Sequence, residues 1–224
     1  MKIRYTQVAQ IVSVFGLLAG STAFAAFGNP SSAKIKVYGV AVSTSADCSN
    51  AKVIGHNEAG TEYDFLTNPT IVSGNVDAGT YQCVILYMEN TLTFIPATTV
   101  GNCTAGTTYK RVICSQGGCT FDKAEPDANK VLQYTGTGTP LAANSQDITK
   151  TDKVLLFLST GSTGTGGSAF LRPTTAGSTN GLKLTGAFTV SASGSSGTFV
   201  ANFNGALDGS QSPCDLGPPQ FSFR

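Results

Sequence analysis

The sequence predicts an all-β protein, an antiparallel β-sandwich with long loops rich in Gly, Ser and Thr, cross-linked by disulfides. Three observations lead to this fold class. Runs of β-branched and aromatic residues recur along the chain, and Gly, Pro, Asn and Asp separate them. Amphipathic helical periodicity is nearly absent, so at most one short helix is expected. The chain contains six cysteines, an even number that is typical of a disulfide framework in an exported protein.

The first 25 residues have the features of a secretory signal peptide. Lys2 and Arg4 precede an apolar run over 8–19, and small residues follow that end in an A-x-A site at Ala23 and Ala25. The run is shorter than the roughly 20 apolar residues that span a bilayer. We therefore expect cleavage after Ala25 and a mature protein in the periplasm, on the outer surface or in the medium.

The charge balance excludes a class of partners. The whole chain carries 14 Lys and Arg against 13 Asp and Glu, and the loss of Lys2 and Arg4 leaves 12 against 13. Such a mature chain has no electrostatic attraction for nucleic acid, and it has no later segment that predicts a transmembrane helix. We expect one β-sandwich domain over 26–224. An internal boundary near 135–150, where Gly and Thr are frequent, is the alternative.

Ten segments have the composition of β-strands, and 79–88 (GTYQCVILYM) is the strongest. The other nine are 34–43, 62–66, 70–73, 91–95, 107–114, 154–159, 181–191, 197–207 and 220–223. Residues 182–203 also predict a hairpin. One short helix is predicted over 126–133, where Pro126 and Asp127 precede Val131.

The segment 79–88 is apolar on both of its faces. Val84, Leu86 and Met88 share one face, and Ile85 lies on the other. A strand with one solvated face alternates between apolar and polar residues, so both faces of this strand are expected to be covered. The cover is either another part of the chain or a partner. Val84, Leu86 and Met88 are the candidate partner-facing residues, and the expected partner is another surface or envelope protein.

The disulfide framework is predicted from six positions. The cysteines are Cys48, Cys83, Cys103, Cys114, Cys119 and Cys214. Five of them lie within 48–119, so complete pairing within the chain must bond Cys214 to one of these five. Such a bond closes a loop of roughly 95 to 165 residues and stabilises the fold by on the order of 4 to 5 kcal/mol. Of the 15 connectivities, we prefer Cys48–Cys83, Cys103–Cys114 and Cys119–Cys214.

Residues for catalysis or metal binding are scarce. The single histidine, His56, lies in a segment over 55–60 that is interpreted as a loop, and no nucleophile elbow or zinc motif is present. Asp122, Glu125 and Asp127 lack the spacing of a calcium loop and are interpreted as a solvated turn. We expect a protein without enzymatic activity, cofactor or metal, although a hydrolase based on two carboxylates stays open.

One short motif resembles known families. Residues 77–83 (DAGTYQC) resemble the D-x-G-x-Y-x-C motif of immunoglobulin domains, whose tyrosine makes a corner hydrogen bond. The chain departs from that family because it has no Trp and because Cys48 lies only 35 residues before Cys83. Residues 76–86 are also similar to a strand of bacterial transthyretin-like and carboxypeptidase-regulatory-like sandwich domains. This resemblance implies an extracytoplasmic β-sandwich, usually without catalytic activity, and carries over no functional residue.

The sequence therefore predicts a non-catalytic exported surface or periplasmic protein with a structural, adhesion or partner-binding role. The alternative is a module that binds a small ligand or a carbohydrate. Carbohydrate sites stack sugars on aromatic rings, and with Trp absent this role would pass to tyrosines. The candidate tyrosines are Tyr38, Tyr63, Tyr81, Tyr87, Tyr109 and Tyr134.

Overall fold

The computed structural model describes residues 27–67, 69–71, 76–164, 168–191 and 199–223, without the side chain of residue 223. The predicted signal peptide lies outside these residues, as do parts of the predicted strands 70–73 and 197–207. The described chain is almost entirely β-structure, which confirms the predicted fold class. Its one helical element is the 3₁₀ turn Phe65–Thr67.

The fifteen strands of the described chain differ greatly in length. In chain order they are β1 Phe27–Gly28, β2 Pro30–Ser43, β3 Lys52–Asp64, β4 Gly79–Tyr81, β5 Cys83–Pro96, β6 Tyr109–Val112, β7 Phe121–Pro126, β8 Leu132–Gly138, β9 Lys153–Ser159, β10 Leu182–Thr185, β11 Phe188–Val190, β12 Phe199–Asn202, β13 Leu207–Asp208, β14 Asp215–Leu216 and β15 Gln220–Phe223. The three long strands β2, β3 and β5 provide the frame on which the shorter strands pair.

The main sheet contains eight strands in the order β12-β15-β10-β9-β5-β2-β3, and β6 is the eighth, paired with β5. Strand β9 pairs with the first half of β5, over 83–89, and β6 pairs with its second half, over 91–94. The pairs β9–β10 and β10–β15 are parallel, so the sheet is mixed where an antiparallel one was predicted. Short strands and loops cover this sheet, so the arrangement corresponds to a two-sheet sandwich only in outline.

Both faces of the central strands β5 and β9 of the main sheet are covered within the chain. Val84, Leu86 and Met88 are 2%, 1% and 0% exposed and belong to the larger core, with side chains from β9, β10, β13 and β15. Ile85 and Phe157 belong to a smaller core on the opposite face. Burial of such side chains stabilises the fold by about 1.5 to 3 kcal/mol each. The prediction that Val84, Leu86 and Met88 face a partner is therefore wrong, because this chain itself covers them.

The hairpin of β7 and β8 covers the smaller core. Its Leu132 packs there, and the Leu132 N–H donates to the Ala51 carbonyl at 2.8 Å. The helix predicted over 126–133 is wrong, because this segment forms the hairpin turn. The Asp127 carboxylate accepts the N–H groups of Asn129 at 2.8 Å and Val131 at 3.0 Å. An aspartate that accepts hydrogen bonds from its own following backbone favours a turn over a helix.

Most of the turn of the hairpin predicted over 182–203 lies outside the described residues, and the described strands of this segment pair with other strands. Strand β15 lies between β10 and β12, and β11 pairs instead with β4. Gly186, with a φ of +87°, separates β10 from β11. A glycine adopts this left-handed conformation at no steric cost, so the chain can leave the main sheet there and pair elsewhere.

Three disulfides connect all six cysteines, namely Cys48–Cys83, Cys103–Cys214 and Cys114–Cys119. The first was predicted, and the expectation that Cys214 bonds to one of the other five is confirmed. Three disulfides are typical of a protein from an oxidising compartment. Within the described ranges, no helix has the length and apolar character needed to cross a membrane.

The predicted partners of Cys103, Cys114 and Cys119 are wrong because of strand β6. A strand advances by about 3.3 Å per residue, and Cys103 and Cys114 lie on opposite sides of β6 in the chain. Cys114 instead bonds across the short turn that follows, where the Cys119 N–H donates to the Ser115 carbonyl at 3.2 Å. Cys103 is left free to bond Cys214, 111 residues away in sequence.

Candidate functional site

A cavity of about 370 Å³ that is partly open to solvent lies beside the larger core, against the main sheet. Its lining is mainly apolar and includes aromatic side chains. Ligand pockets in proteins commonly have volumes of about 300 to 1,000 Å³ and a similar lining, with a few polar groups that orient the ligand. The cavity is therefore the strongest candidate for a binding site among the described residues.

The floor of the cavity is a row of side chains from five neighbouring strands. It consists of Phe221 of β15, Leu182 of β10, Leu156 of β9, Met88 of β5 and Ile35 of β2. Because side chains on one face of a sheet stand side by side across its strands, these residues form a continuous apolar surface. The pairing of the main sheet thus brings residues as far apart in sequence as Ile35 and Phe221 into one row.

Loops and short strands form the other walls of the cavity. Phe170 comes from the turn at the start of the described range 168–191. Beside it, the Ala169 carbonyl accepts the Phe157 N–H at 3.1 Å, and this bond holds the turn against β9. Phe203 and Leu216 close a second side. Cys119 also lines the cavity, so the short Cys114–Cys119 disulfide holds part of its wall.

Two charged side chains line this otherwise apolar cavity, Arg111 of β6 and Asp215 of β14. Both are half-buried. The Arg111 guanidinium donates to the Cys214 carbonyl at 2.9 Å and to the Lys110 carbonyl at 2.7 Å. An Asp215 carboxylate oxygen accepts the Leu216 N–H at 2.8 Å. These groups give the cavity a polar point at which a ligand could be oriented.

Sequence reasoning found one residue of this site. Of the predicted partner-facing residues Val84, Leu86 and Met88, only Met88 lines the cavity. Arg111 and Asp215 were missed because they lie on different strands, and only the fold brings them to one cavity. Their sequence context carries no motif that could have identified them.

The candidate tyrosines do not form a sugar platform among the described residues. Five of them donate their hydroxyl to a group within the chain: Tyr38 to Glu89, Tyr63 to Ile71, Tyr81 to Asp77, Tyr109 to Asn102 and Tyr134 to Cys48. Tyr38 and Tyr87 are neighbours, with ring centroids 5.7 Å apart, but the rings are tilted by 51° and Tyr38 is buried. Burial raises the pKa of Tyr38, Tyr87 and Tyr134 above the usual value, since burial disfavours the charged phenolate.

The hydrogen bond from Tyr81 to the Asp77 carbonyl is 2.7 Å long and joins the two ends of the D-x-G-x-Y segment. It is a local bond over four residues that fixes the chain entering β5. Such a contact is of the kind expected for the tyrosine of this motif. The resemblance to immunoglobulin and transthyretin-like domains stays a prediction.

The single histidine lies in strand β3, where a loop was predicted. His56 Nε2 lies 2.7 Å from a carboxylate oxygen of Glu58, and its ring stacks on Tyr87 with centroids 6.1 Å apart. Lys153 approaches the other Glu58 oxygen at 3.7 Å. His56 and Glu58 lie on the edge strand β3, and the lining residues of the large cavity do not include these polar groups.

The acidic residues do not converge on a metal site in the part of the chain that the structure describes. Asp127 forms the turn of the β7–β8 hairpin, as interpreted, but Asp122 and Glu125 lie in strand β7 and not in a turn. Asp122 accepts the backbone N–H of Arg172 at 2.6 Å and so connects β7 to the loop that leads to β10.

No known protein family, curated protein or solved structure matches this chain.

Proposed function

We propose that this chain is a non-catalytic, exported binding protein that takes a small apolar ligand into the cavity floored by Met88. We place it in the periplasm, at the cell surface or in the medium, in keeping with the predicted signal peptide and the three disulfides. The observation that carries the proposal is the cavity itself, about 370 Å³ in volume and lined mainly by apolar side chains. This cavity is partly open to solvent, and its mainly apolar lining favours an apolar ligand over a polar one.

The chemistry of the lining supports an apolar ligand. Its floor presents the aliphatic and aromatic side chains Ile35, Leu156, Leu182 and Phe221 together with Met88. Methionine is flexible and polarizable, and it adapts to ligands of irregular shape. A hydrocarbon chain or an apolar ring gains about 25 cal/mol for each Å² of apolar surface that it removes from water on such a floor.

A cavity-filling variant tests the proposal. Ala169 lines the cavity, and Ala169→Leu adds three carbon atoms there while leaving the bond between its carbonyl and the Phe157 N–H in place. The neutral dye N-phenyl-1-naphthylamine should bind the native protein with a rise in fluorescence, and the variant should bind it at least about tenfold more weakly, a loss of roughly 1.4 kcal/mol.

The matched control is Ala176→Leu, the same substitution at an exposed position outside the lining. This variant should bind the dye as the native protein does. The proposal fails if the native protein does not bind the dye, or if both leucine variants bind it equally well.

A further inference from the structure

We propose that the natural ligand is an amphiphile with a negatively charged head group, which Arg111 binds while the apolar chain lies on the floor around Met88. This inference rests on the function proposed above and adds the chemical class of the ligand. A guanidinium and one carboxylate are the only charged groups among the described residues that line the cavity.

The register of the sheet directs Arg111 toward the apolar floor. Arg111 of β6 lies directly opposite Leu92 of β5. Directly opposed residues in an antiparallel pair point to the same face of the sheet. Leu92 belongs to the larger core and lines the cavity. The guanidinium therefore lies on the same face as the floor, at the end of β6 that adjoins the C-terminal segment.

The charge of Arg111 is not neutralised by the chain. Its two hydrogen bonds go to neutral carbonyl oxygens, those of Lys110 and Cys214. The ion pairs found in the described ranges do not include Arg111. A guanidinium has five N–H donors in a planar fork, which matches a carboxylate, sulfate or phosphate group. A half-buried, unpaired guanidinium beside an apolar cavity thus has the chemistry to bind an anionic amphiphile.

Asp215 acts against Arg111 in the binding of an anionic head group. Its carboxylate already accepts the Leu216 N–H at 2.8 Å, and it forms no ion pair with Arg111 in the described structure. Its negative charge weakens the attraction for an anion, and a cationic head group would be bound by Asp215 instead of Arg111. Removing the charge of Arg111 should therefore weaken the binding of an anionic head group, and removing the charge of Asp215 should strengthen it. The sign of the charge on the head group can thus be tested.

The experiment compares three ligands with the same hydrocarbon chain: decanoate, decanol and decylammonium. Their affinities for the mature protein are measured by isothermal titration calorimetry at neutral pH and low ionic strength. We expect decanoate to bind about tenfold more tightly than decanol, because a charge-assisted hydrogen bond adds to the same apolar contact. Decylammonium should bind more weakly than decanoate.

Variants assign this preference to Arg111. Arg111→Met removes the charge but keeps a long apolar stem, and it should weaken the binding of decanoate much more than that of decanol, so that the preference for decanoate is lost. Asp215→Asn should strengthen the binding of decanoate. Lys110→Met, at the neighbouring basic residue outside the lining, is the matched control and should leave the preference intact.

The outcomes separate this inference from the proposed function. Equal binding of decanoate and decanol, or a preference for decylammonium, overturns the anionic head group and leaves the apolar cavity in place. If Arg111→Met weakens the binding of decanoate and decanol equally, Arg111 has a structural role, and this result also overturns the inference. If none of the three ligands binds the native protein, the proposed function itself fails.

Discussion

Asn90 is a buried polar residue on which the division of β5 between two partners depends. It lies between the half of β5 that pairs with β9 and the half that pairs with β6, and it is 0% exposed. Its side chain donates to the Cys114 carbonyl at 3.0 Å and accepts the Asp152 N–H at 2.9 Å. A buried amide with both ends bonded thus connects the end of β6 to the start of β9.

Asn90→Ala is expected to lower the free energy of unfolding by about 2 to 3 kcal/mol, because it leaves a carbonyl and an N–H without their partner. Urea unfolding followed by circular dichroism measures the change. Asn129→Ala, at an exposed position of the β7–β8 turn, serves as the matched control and should change the stability by less than about 0.5 kcal/mol. A loss at Asn90 no greater than at Asn129 would contradict the role of this side chain.

The sequence could not have assigned this role, or that of Arg111. Asn90 appeared as a break between the predicted strands 79–88 and 91–95, because an amide is uncommon inside a strand. The structure instead continues β5 through this position. The polar side chain is tolerated there because it bonds to Cys114 and Asp152, which lie outside β5. Only the fold brings these two residues close to Asn90.

At the level of elements, most strands that carry apolar residues were predicted, whereas the polar strands β7 and β8 were not. Strands β2, β5, β9 and β15 follow alternating or continuous apolar runs, and the structure has them near the predicted positions. Strand β3 was predicted only at its end, because most of its residues are polar and solvent-exposed. It is an edge strand of the main sheet, and polar residues on an edge strand hinder pairing with other molecules.

The short disulfide differs from the other two in its exposure. Cys48, Cys83, Cys103 and Cys214 are 0% exposed, whereas Cys119 is half-buried. Attack by a thiolate requires access to a sulfur atom, so exposed disulfides are the labile ones. The Cys114–Cys119 bond also closes the smallest loop, with a sequence separation of 5, and constrains the unfolded chain least.

We therefore expect Cys114–Cys119 to be reduced first when the native protein is treated with increasing dithiothreitol. Alkylation of the free thiols followed by peptide mapping identifies the order of reduction. The Cys48–Cys83 and Cys103–Cys214 bonds should resist until the protein unfolds, and they act as internal controls. Simultaneous loss of all three disulfides under native conditions would contradict this order.

At the scale of the whole molecule, strands from both halves of the chain form one sheet. The cavity floor takes residues from β2 and β5 before the alternative boundary near 135–150, and from β9, β10 and β15 after it. The Cys103–Cys214 disulfide joins the same two parts. The expected link of Cys214 to the earlier part of the chain followed from counting cysteines, but its partner depended on β6.

The presence of apolar residues on both faces of β5 was the most informative feature of the sequence. It predicted a covered sheet, and the structure provides the cover on both sides. The cavity could not be predicted, because incomplete filling of a core depends on how loops such as 168–171 and 216–219 meet the sheet. Binding of an apolar ligand in that space is the central claim.

The methyl group of Met88 tests this claim most directly. Met1 and Met88 are the only methionines of the chain, and Met88 lies on the cavity floor. With ¹³C-labelled methionine and alanine methyl groups, the Met88 resonance is assigned by its absence in Met88→Leu and the Ala51 resonance by its absence in Ala51→Gly. Titration with decanol should move this resonance saturably, while the methyl resonance of Ala51 in the smaller core on the opposite face stays unchanged. A Met88 resonance that does not move while decanol binds, or the absence of any binding, would contradict the claim.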